Sequence, residues 1–128
     1  TLTTATSVAT TNLDVASNIE FGGLLTDGGL VATAAAIPVT HSAAYEIVTA
    51  AAETNTLAIP TYCGQLLSLY CRTWAVGSRV VTVASGINQA GNTTITFDTT
   101  GDSILLLGIQ KNNVMAWRVV VNNSCTLG

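Results

Sequence analysis

Turn signals recur about every eight to twelve residues through most of this chain, and between them lie short runs rich in β-branched and aromatic residues. Each run is too short for the sustained 3.6-residue period of an amphipathic helix. Six or seven strands are predicted in this way, at residues 39–49, 56–59, 65–73, 79–84, 92–97, 103–110 and 114–121. The pattern therefore predicts an all-β domain of the sandwich or barrel type, and it leaves the strand order open.

Alternation within the predicted strands assigns side chains to faces, because residues two apart share a face. Residues 92–97 alternate cleanly, with Ile95 and Phe97 on one face and threonines on the other. The last two predicted strands are joined through Asn112 and Asn113, and asparagine tolerates the positive φ of a tight turn. The final hairpin is therefore the most strongly specified local structure.

The segment before the β-rich region has a different composition. Residues 1–37 are rich in Thr, Ala and Gly with little periodicity, which predicts an extended arm with short ordered pieces, such as a strand at residues 18–21. A helix over residues 32–36 is the alternative for the alanine-rich end of the arm. The chain thus divides into an N-terminal arm, residues 1–37, and a β domain, residues 38–128. We expect the polar tail from residue 122 to be mobile or to pair with a neighbour.

Charged residues are unusually scarce. The chain has 4 Lys+Arg and 7 Asp+Glu, so that 9% of it is charged, against about 25% in ordinary soluble domains. A freely soluble monomer normally carries a mixed charged surface. Because permanent interfaces are depleted in charge, the composition predicts that other protein covers much of this surface.

The same composition excludes two classes of partner. The four basic residues are scattered and the net charge is −3, so no patch for a phosphate backbone is expected and nucleic acid is not a predicted partner. Apolar runs such as residues 104–109 are far shorter than the ~20 residues that cross a bilayer, so no membrane is predicted either. No positively charged leader precedes an apolar segment, which predicts a soluble, non-secreted product made in the cytoplasm.

No motif for catalysis or cofactor binding is present. The single histidine, His41, has Glu46 as its nearest carboxylate in sequence, and an unbroken strand would place the two on opposite faces. Phosphate-binding glycine loops and nucleophile elbows are missing, and one His with three separated Cys gives no zinc spacing. We therefore expect no enzyme, no catalytic or metal residue, no cofactor and no small-molecule substrate.

Several chemically versatile residues have simpler structural interpretations. Asp98 and Asp102 bracket a turn, where local hydrogen bonds to backbone N–H groups are favoured over a bound cation. Cys63, Cys71 and Cys125 are predicted to be buried free thiols, with a disulfide or an inter-subunit bridge as the alternatives. Of the two tryptophans, residue 117 is predicted to anchor the core or a subunit contact, and residue 74 to be partly exposed.

Residues 56–122 resemble a domain of tailed-phage virion proteins. The motifs that carry the resemblance are Leu57-x-Ile59-Pro60, Gly64-Gln65, Arg79-Val80-Val81-Thr82-Val83, Gly91-Asn92-x-x-Ile95-x-Phe97, Gly101-Asp102-Ser103-Ile104-x-Leu106 and Trp117-Arg118-Val119, with Pro38-Val39-Thr40-His41-Ser42 as the entry. These motifs mainly specify strands and turns. The fold expected is a compact antiparallel β-sandwich or barrel, of the β-tulip or jelly-roll kind, with an extended N-terminal arm.

The resemblance implies a structural role in a virion. Similar domains occur in capsid decoration (cement) proteins and in trimeric fibres, and the shortness of the chain favours decoration because a shaft or receptor-binding module is missing. The implied protein is a homotrimer on the outer surface of an expanded capsid, at threefold or quasi-threefold positions, with the major capsid protein as its partner. A tail-fibre, spike or head-fibre domain that binds host-surface glycans is the alternative.

Overall fold

The computed structural model describes residues 25–49, 51–87 and 91–128. Across these ranges the backbone forms ten strands and no helix. The strands are β1 (Thr26–Val31), β2 (Ala36–Ile37), β3 (Ala43–Thr49), β4 (Glu53–Leu57), β5 (Leu66–Trp74), β6 (Arg79–Val83), β7 (Thr94–Phe97), β8 (Ser103–Lys111), β9 (Val114–Asn123) and β10 (Thr126–Leu127). The all-β class predicted from the sequence is confirmed.

Two five-stranded sheets form the sandwich. The first sheet has the order β1-β3-β5-β8-β9, and the second has the order β10-β7-β6-β4-β2. The first six strands alternate between the sheets, so two successive crossings return the chain to the same sheet in the same direction. As a result β1/β3, β3/β5, β2/β4 and β4/β6 pair in parallel.

The C-terminal strands pair differently. β6/β7, β7/β10, β5/β8 and β8/β9 are all antiparallel. The sheets are therefore mixed, and not antiparallel throughout as predicted. The prediction assumed that runs adjacent in sequence are hairpin neighbours, whereas here a strand of one sheet serves as the crossover between two parallel strands of the other.

The core lies between the inward faces of the two sheets, as in other sandwiches. Trp117 is fully buried, and its indole N–H donates to the carbonyl of Ala58 at 2.8 Å. The other large members of the core are Ile37, Tyr45, Ile47, Leu57, Leu67, Leu69, Ile95, Phe97, Ile104 and Leu106. Burial of each such side chain contributes about 1.5–3 kcal/mol. The predicted face of β7 is confirmed, because Ile95 and Phe97 are both buried.

Two short elements lie outside the predicted β domain or in its predicted tail. β1 and β2 fall within residues 1–37, the predicted arm, and their pairing with β3 and β4 makes that described part an edge of each sheet. Residues 32–35 form an irregular connection and not a helix. The rest of the predicted arm, with the strand at residues 18–21, lies outside the described residues. The polar tail pairs within the chain, because β10 adds to β7.

The β8/β9 hairpin is confirmed as predicted. Asn112 and Asn113 have φ values of 51° and 62°, the two successive positive values of a type I′ turn. That turn has the twist of the strands it joins.

Buried polar side chains hold the connections between the strands in place. Arg79 is fully buried and donates to the side chain of Asn55 at 3.0 Å, to the carbonyl of Val48 at 2.9 Å and to that of Ala32 at 3.3 Å. The Asn55 amide in turn donates to two carbonyls of the β1–β2 connection, at 2.9 and 2.8 Å. Side-chain donors thus satisfy the carbonyls of Ala32 and Thr33, and the carbonyl of Ala35 also accepts from the backbone N–H of Thr56 at 3.3 Å.

Glu53 balances the guanidinium charge. Its Oε2 lies 2.5 Å from Arg79 Nη2, but it has no hydrogen bond of acceptable geometry, so the contact acts as a charge pair. Arg79 Nε is likewise buried, with no hydrogen-bond partner among the described residues. The sequence places Arg79 at the start of a predicted strand, and nothing in the local pattern indicates that it faces inward.

A second buried amide secures the β2–β3 connection. Gln65 is fully buried, and its amide donates to the carbonyls of Val39 at 2.8 Å and His41 at 3.0 Å. Its oxygen accepts from the backbone N–H of Thr61 at 2.8 Å. Since these carbonyls bond to a side chain, residues 39–42 do not extend β3, which is shorter than the predicted run at residues 39–49.

Candidate functional surfaces

Side chains on the outer face of the first sheet form a surface that we call the aliphatic face. The registers of β1, β3, β5, β8 and β9 place its members on the side of the sheet opposite the core. They are Leu30, Ala44, Val48, Leu66, Leu105, Leu107, Ile109, Ala116 and Val121. Leu30 is 52% exposed and Val121 is 55% exposed, at the two edges of this face. The four residues in the middle, on β5 and β8, are half-buried.

Charge on the aliphatic face is confined to a few places. Glu46 and Arg72 form an exposed ion pair at 2.8 Å, a kind of contact that contributes about 0–1 kcal/mol. Asp27 lies on β1 at one edge, with one carboxylate oxygen accepting from the Gly29 N–H at 2.9 Å. Arg118 lies on β9 at the opposite edge, in register with Leu107. The uncharged part of the face is the stretch of β5 and β8 that carries Leu66, Leu105, Leu107 and Ile109.

The outer face of the second sheet has a different chemistry. Thr56, Thr82 and Thr94 form one cross-strand row, with Ala36 at its end. A second row consists of Thr54, Val80, Thr96 and Thr126. We call this surface the threonine face. No charged side chain projects from it within the described strands, and one of its hydroxyls, that of Thr94, donates to the carbonyl of Gly128 at 3.1 Å.

The predicted acid–base candidates are not assembled into a site. His41 is exposed, and its Nδ1 lies 2.9 Å from the hydroxyl of Thr40. Glu46 is engaged with Arg72 on β5. The arrangement offers no positioned proton acceptor for a catalytic imidazole, as general acid–base chemistry requires.

Asp102 has the local role predicted for it. The carboxylate is 2% exposed, and Oδ2 accepts from the backbone N–H groups of Asp98 and Thr99, each at 2.9 Å. Asp98 is exposed. Among the residues in the described ranges, no group of three or more His, Cys, Asp and Glu side chains is placed to hold a metal ion.

The cysteines differ in their surroundings. All three are free thiols; Cys71 and Cys125 are buried as predicted, but Cys63 is exposed. Burial and, to a smaller extent, the nearby Asp102 carboxylate together raise the pKa of Cys125 to about 12. The pKa of Cys71 is raised by the same two causes in the same order. Both buried thiols therefore stay protonated at neutral pH and are unreactive.

The two tryptophans occupy the positions that the sequence predicted. Trp117 belongs to the core, while Trp74, near the end of β5, is 42% exposed. Tyr70 on the same strand is 38% exposed. These two rings are the described aromatic residues of β5 that a ligand or a partner chain can contact.

Two open pockets flank β2, with volumes of about 200 and 250 Å³. Small residues such as Ala36 line both, and neither is lined by a carboxylate, a histidine or a cysteine. Within the described ranges, no helix is long and apolar enough to cross a membrane.

Neither a scan against protein-family models nor a search of curated proteins gives a match to this chain. The case for a function therefore depends on the sequence motifs and on the two outer faces of the sandwich.

Proposed function

We propose that this chain is a structural virion protein, a cement protein that decorates and stabilises the expanded capsid of a phage. It would act as a homotrimer at threefold or quasi-threefold positions, on the outer surface of the shell, with the major capsid protein as its partner. No enzymatic step, cofactor, nucleic acid or membrane is part of this role. The motif resemblance of residues 56–122 to phage virion domains motivates the proposal.

The observation that carries the proposal is the scarcity of charge on both broad faces of the sandwich. The threonine face has no charged side chain in the described strands, and two of the four charged side chains described on the aliphatic face, Glu46 and Arg72, neutralise each other. A monomer in water is normally protected by charged residues on such surfaces. Sheet faces of this kind suit permanent contacts with other protein, and a clamp across subunit junctions needs interface area without catalytic groups.

The N-terminal segment would supply the grip on the capsid. An extended segment can add a strand to an exposed sheet edge of a coat subunit, and its affinity then comes from backbone hydrogen bonds. Three such segments on one trimer would gain further affinity through multivalency. Because β1 begins at Thr26, a deletion of residues 1–24 tests the grip while keeping all ten described strands.

Co-sedimentation with phage heads tests the proposal. The full chain should pellet with expanded heads and not with unexpanded ones, and the chain without residues 1–24 should stay in the supernatant while keeping its β circular dichroism spectrum. Absence of binding to expanded heads would refute the capsid role. Binding that survives the deletion would refute the role of the N-terminal segment alone.

The exposed aromatic pair on β5 favours a second candidate function, a trimeric fibre or spike domain that binds host-surface glycans. Aromatic rings stack on sugars, and Trp74 is accessible for such a contact. A glycan array should then show binding that is lost in Trp74→Ala and kept in Tyr62→Ala, which changes another exposed ring. Trp117→Ala is unsuitable for this assay, because that ring is in the core. An array without any bound glycan would exclude this candidate.

A further inference from the structure

We infer that the aliphatic face is the surface through which copies of this chain associate, with the three faces turned toward a common threefold axis. In this ring the β9 edge of one copy meets the β1 edge of the next. The inference deepens the proposed trimeric cement function and rests on it for the number of copies. It assigns the contact to one side of the sandwich and leaves the threonine face outside the ring.

Large apolar side chains are concentrated on the aliphatic face. Leu66, Leu105 and Leu107 are adjacent on paired strands, outside the core and on the same side of the sheet. Large aliphatic side chains in continuous rows on an outer face are uncommon in a monomer, and they are typical of an interface between subunits. The threonine face has only one comparable aliphatic residue, Val80. The chain therefore distinguishes its two outer sides.

The two edges of the aliphatic face carry opposite charges. Asp27 lies on the β1 edge and Arg118 on the β9 edge of the same face. Through their strand partners, Asp27 is in register with Ser68 and Arg118 with Leu66. These levels are two residues apart, about 7 Å along the strand, which a long arginine side chain can span.

This edge pattern is self-complementary in a ring. A cyclic assembly uses heterologous contacts, in which one edge of each copy meets the opposite edge of its neighbour. With strands running along the axis, each junction brings the acidic edge against the basic one, with Asp27 level with Val121 and with Leu30 and Arg118 two residues to either side of that level. A different partner would need a basic group facing Asp27 and an acidic group facing Arg118. A second copy of this chain already carries both.

Matched lysine substitutions test which face is used. Leu107→Lys puts a charge in the middle of the aliphatic face, and Thr82→Lys makes the corresponding change on the threonine face. Analytical ultracentrifugation should give a trimer for the unchanged chain and for Thr82→Lys, and a monomer for Leu107→Lys with its β circular dichroism spectrum intact. A trimeric Leu107→Lys, or a monomeric Thr82→Lys, would overturn the inference.

Charge-reversal variants provide a second test if Leu107→Lys fails to fold. Asp27→Arg and Arg118→Glu should each raise the dissociation constant of the trimer by about tenfold, because like charges then meet at the edge. The double variant should return to within about threefold of the original value, and Asp27→Asn, which keeps an acceptor for Gly29, should have a smaller effect than Asp27→Arg. Simple addition of the two single effects in the double variant would contradict the edge contact.

Cross-linking distinguishes the ring from a two-fold dimer that uses the same face. Leu30→Cys and Val121→Cys are combined in a Cys63→Ser background and treated with a short bis-maleimide. A covalent trimer is expected for the pair and no trimer for either single cysteine; a product that stops at the dimer would overturn the ring. If the chain binds expanded heads but one of these tests fails, the interface assignment is wrong and the cement function stands. If the trimer and its interface are found but heads are not bound, the cement function fails and the interface stands.

Discussion

The first six strands and the last four are held in place by different means. Strands β1 to β6 change sheet at every connection, and the described crossings at residues 32–35 and 38–42 are anchored by Arg79, Asn55 and Gln65 through bonds to backbone carbonyls. The C-terminal strands are all antiparallel, and their described connections are held by residues close in sequence: Asp102 accepts from Asp98 and Thr99 at the β7–β8 crossing, and Asn112 and Asn113 form the β8/β9 turn. The crossings between parallel strands are thus stabilised by side chains distant in sequence, whereas the C-terminal connections are specified by their own residues.

The largest effect is expected at the anchor of the crossings. Arg79→Ala should lower the free energy of unfolding by about 3–5 kcal/mol, because Glu53 and Asn55 lose their buried partner. Arg72→Ala is the matched control; its exposed pair with Glu46 should contribute less than about 1 kcal/mol. Chemical denaturation followed by circular dichroism measures both. Equal effects of the two substitutions would show that the buried network does not hold the first six strands.

The difference between the two regions also explains what could be predicted from the sequence. The Asn112-Asn113 turn and the alternation in β7 depend on residues adjacent in the chain, so they were predicted correctly. β1 was missed because it pairs in parallel with β3 and has glycines where a strand pattern would be expected. Gly28 is required there, since a side chain at this position would collide with the Tyr45 ring.

The candidate surfaces were predictable only in outline. Low charge indicated that protein would cover the chain, but the division into an aliphatic and a threonine face depends on strand order. Arg79 illustrates the limit, since nothing near it in sequence indicates that Val48 and Asn55 would receive its hydrogen bonds. Long-range pairing between strands, and not local propensity, decided these features.

A smaller loss is expected at the second anchor. Gln65→Leu should reduce the free energy of unfolding by about 2–3 kcal/mol, because the carbonyls of Val39 and His41 and the N–H of Thr61 then lose a buried partner. Gln110→Leu, on the exposed end of β8, is the control and should change it by less than about 0.5 kcal/mol. Denaturant melts of the two variants give the comparison. An unchanged midpoint for Gln65→Leu would mean that water replaces the amide and that the crossing does not need it.

The C-terminal region has a dependence on alkaline pH that the anchors lack. The pKa of Cys125 is raised to about 12 by burial, so the unfolded chain loses this proton at lower pH than the folded chain. The stabilisation is therefore complete below the unfolded pKa, near 9, and is lost as the pH rises toward 12. By pH 10.5 the loss of stability should amount to about 1–2 kcal/mol. Denaturation at pH 8 and 10.5 should show a smaller pH effect for Cys125→Ala than for the unchanged chain, and equal effects would contradict the assignment.

The smallest effect is expected at the β8/β9 turn, where the change should be favourable. Asn113→Gly should raise the free energy of unfolding by about 0.5 kcal/mol, because glycine adopts the φ of 62° at this position at less steric cost and Asn-Gly suits a type I′ turn. Asn112→Ala should lower it by a similar or larger amount, because alanine is unfavourable at positive φ. Thermal and denaturant melts resolve such differences when the two variants are measured side by side. A loss of stability in Asn113→Gly would show that the asparagine side chain itself stabilises the turn. The β8/β9 turn would then depend on a side-chain hydrogen bond, as the crossings between sheets do.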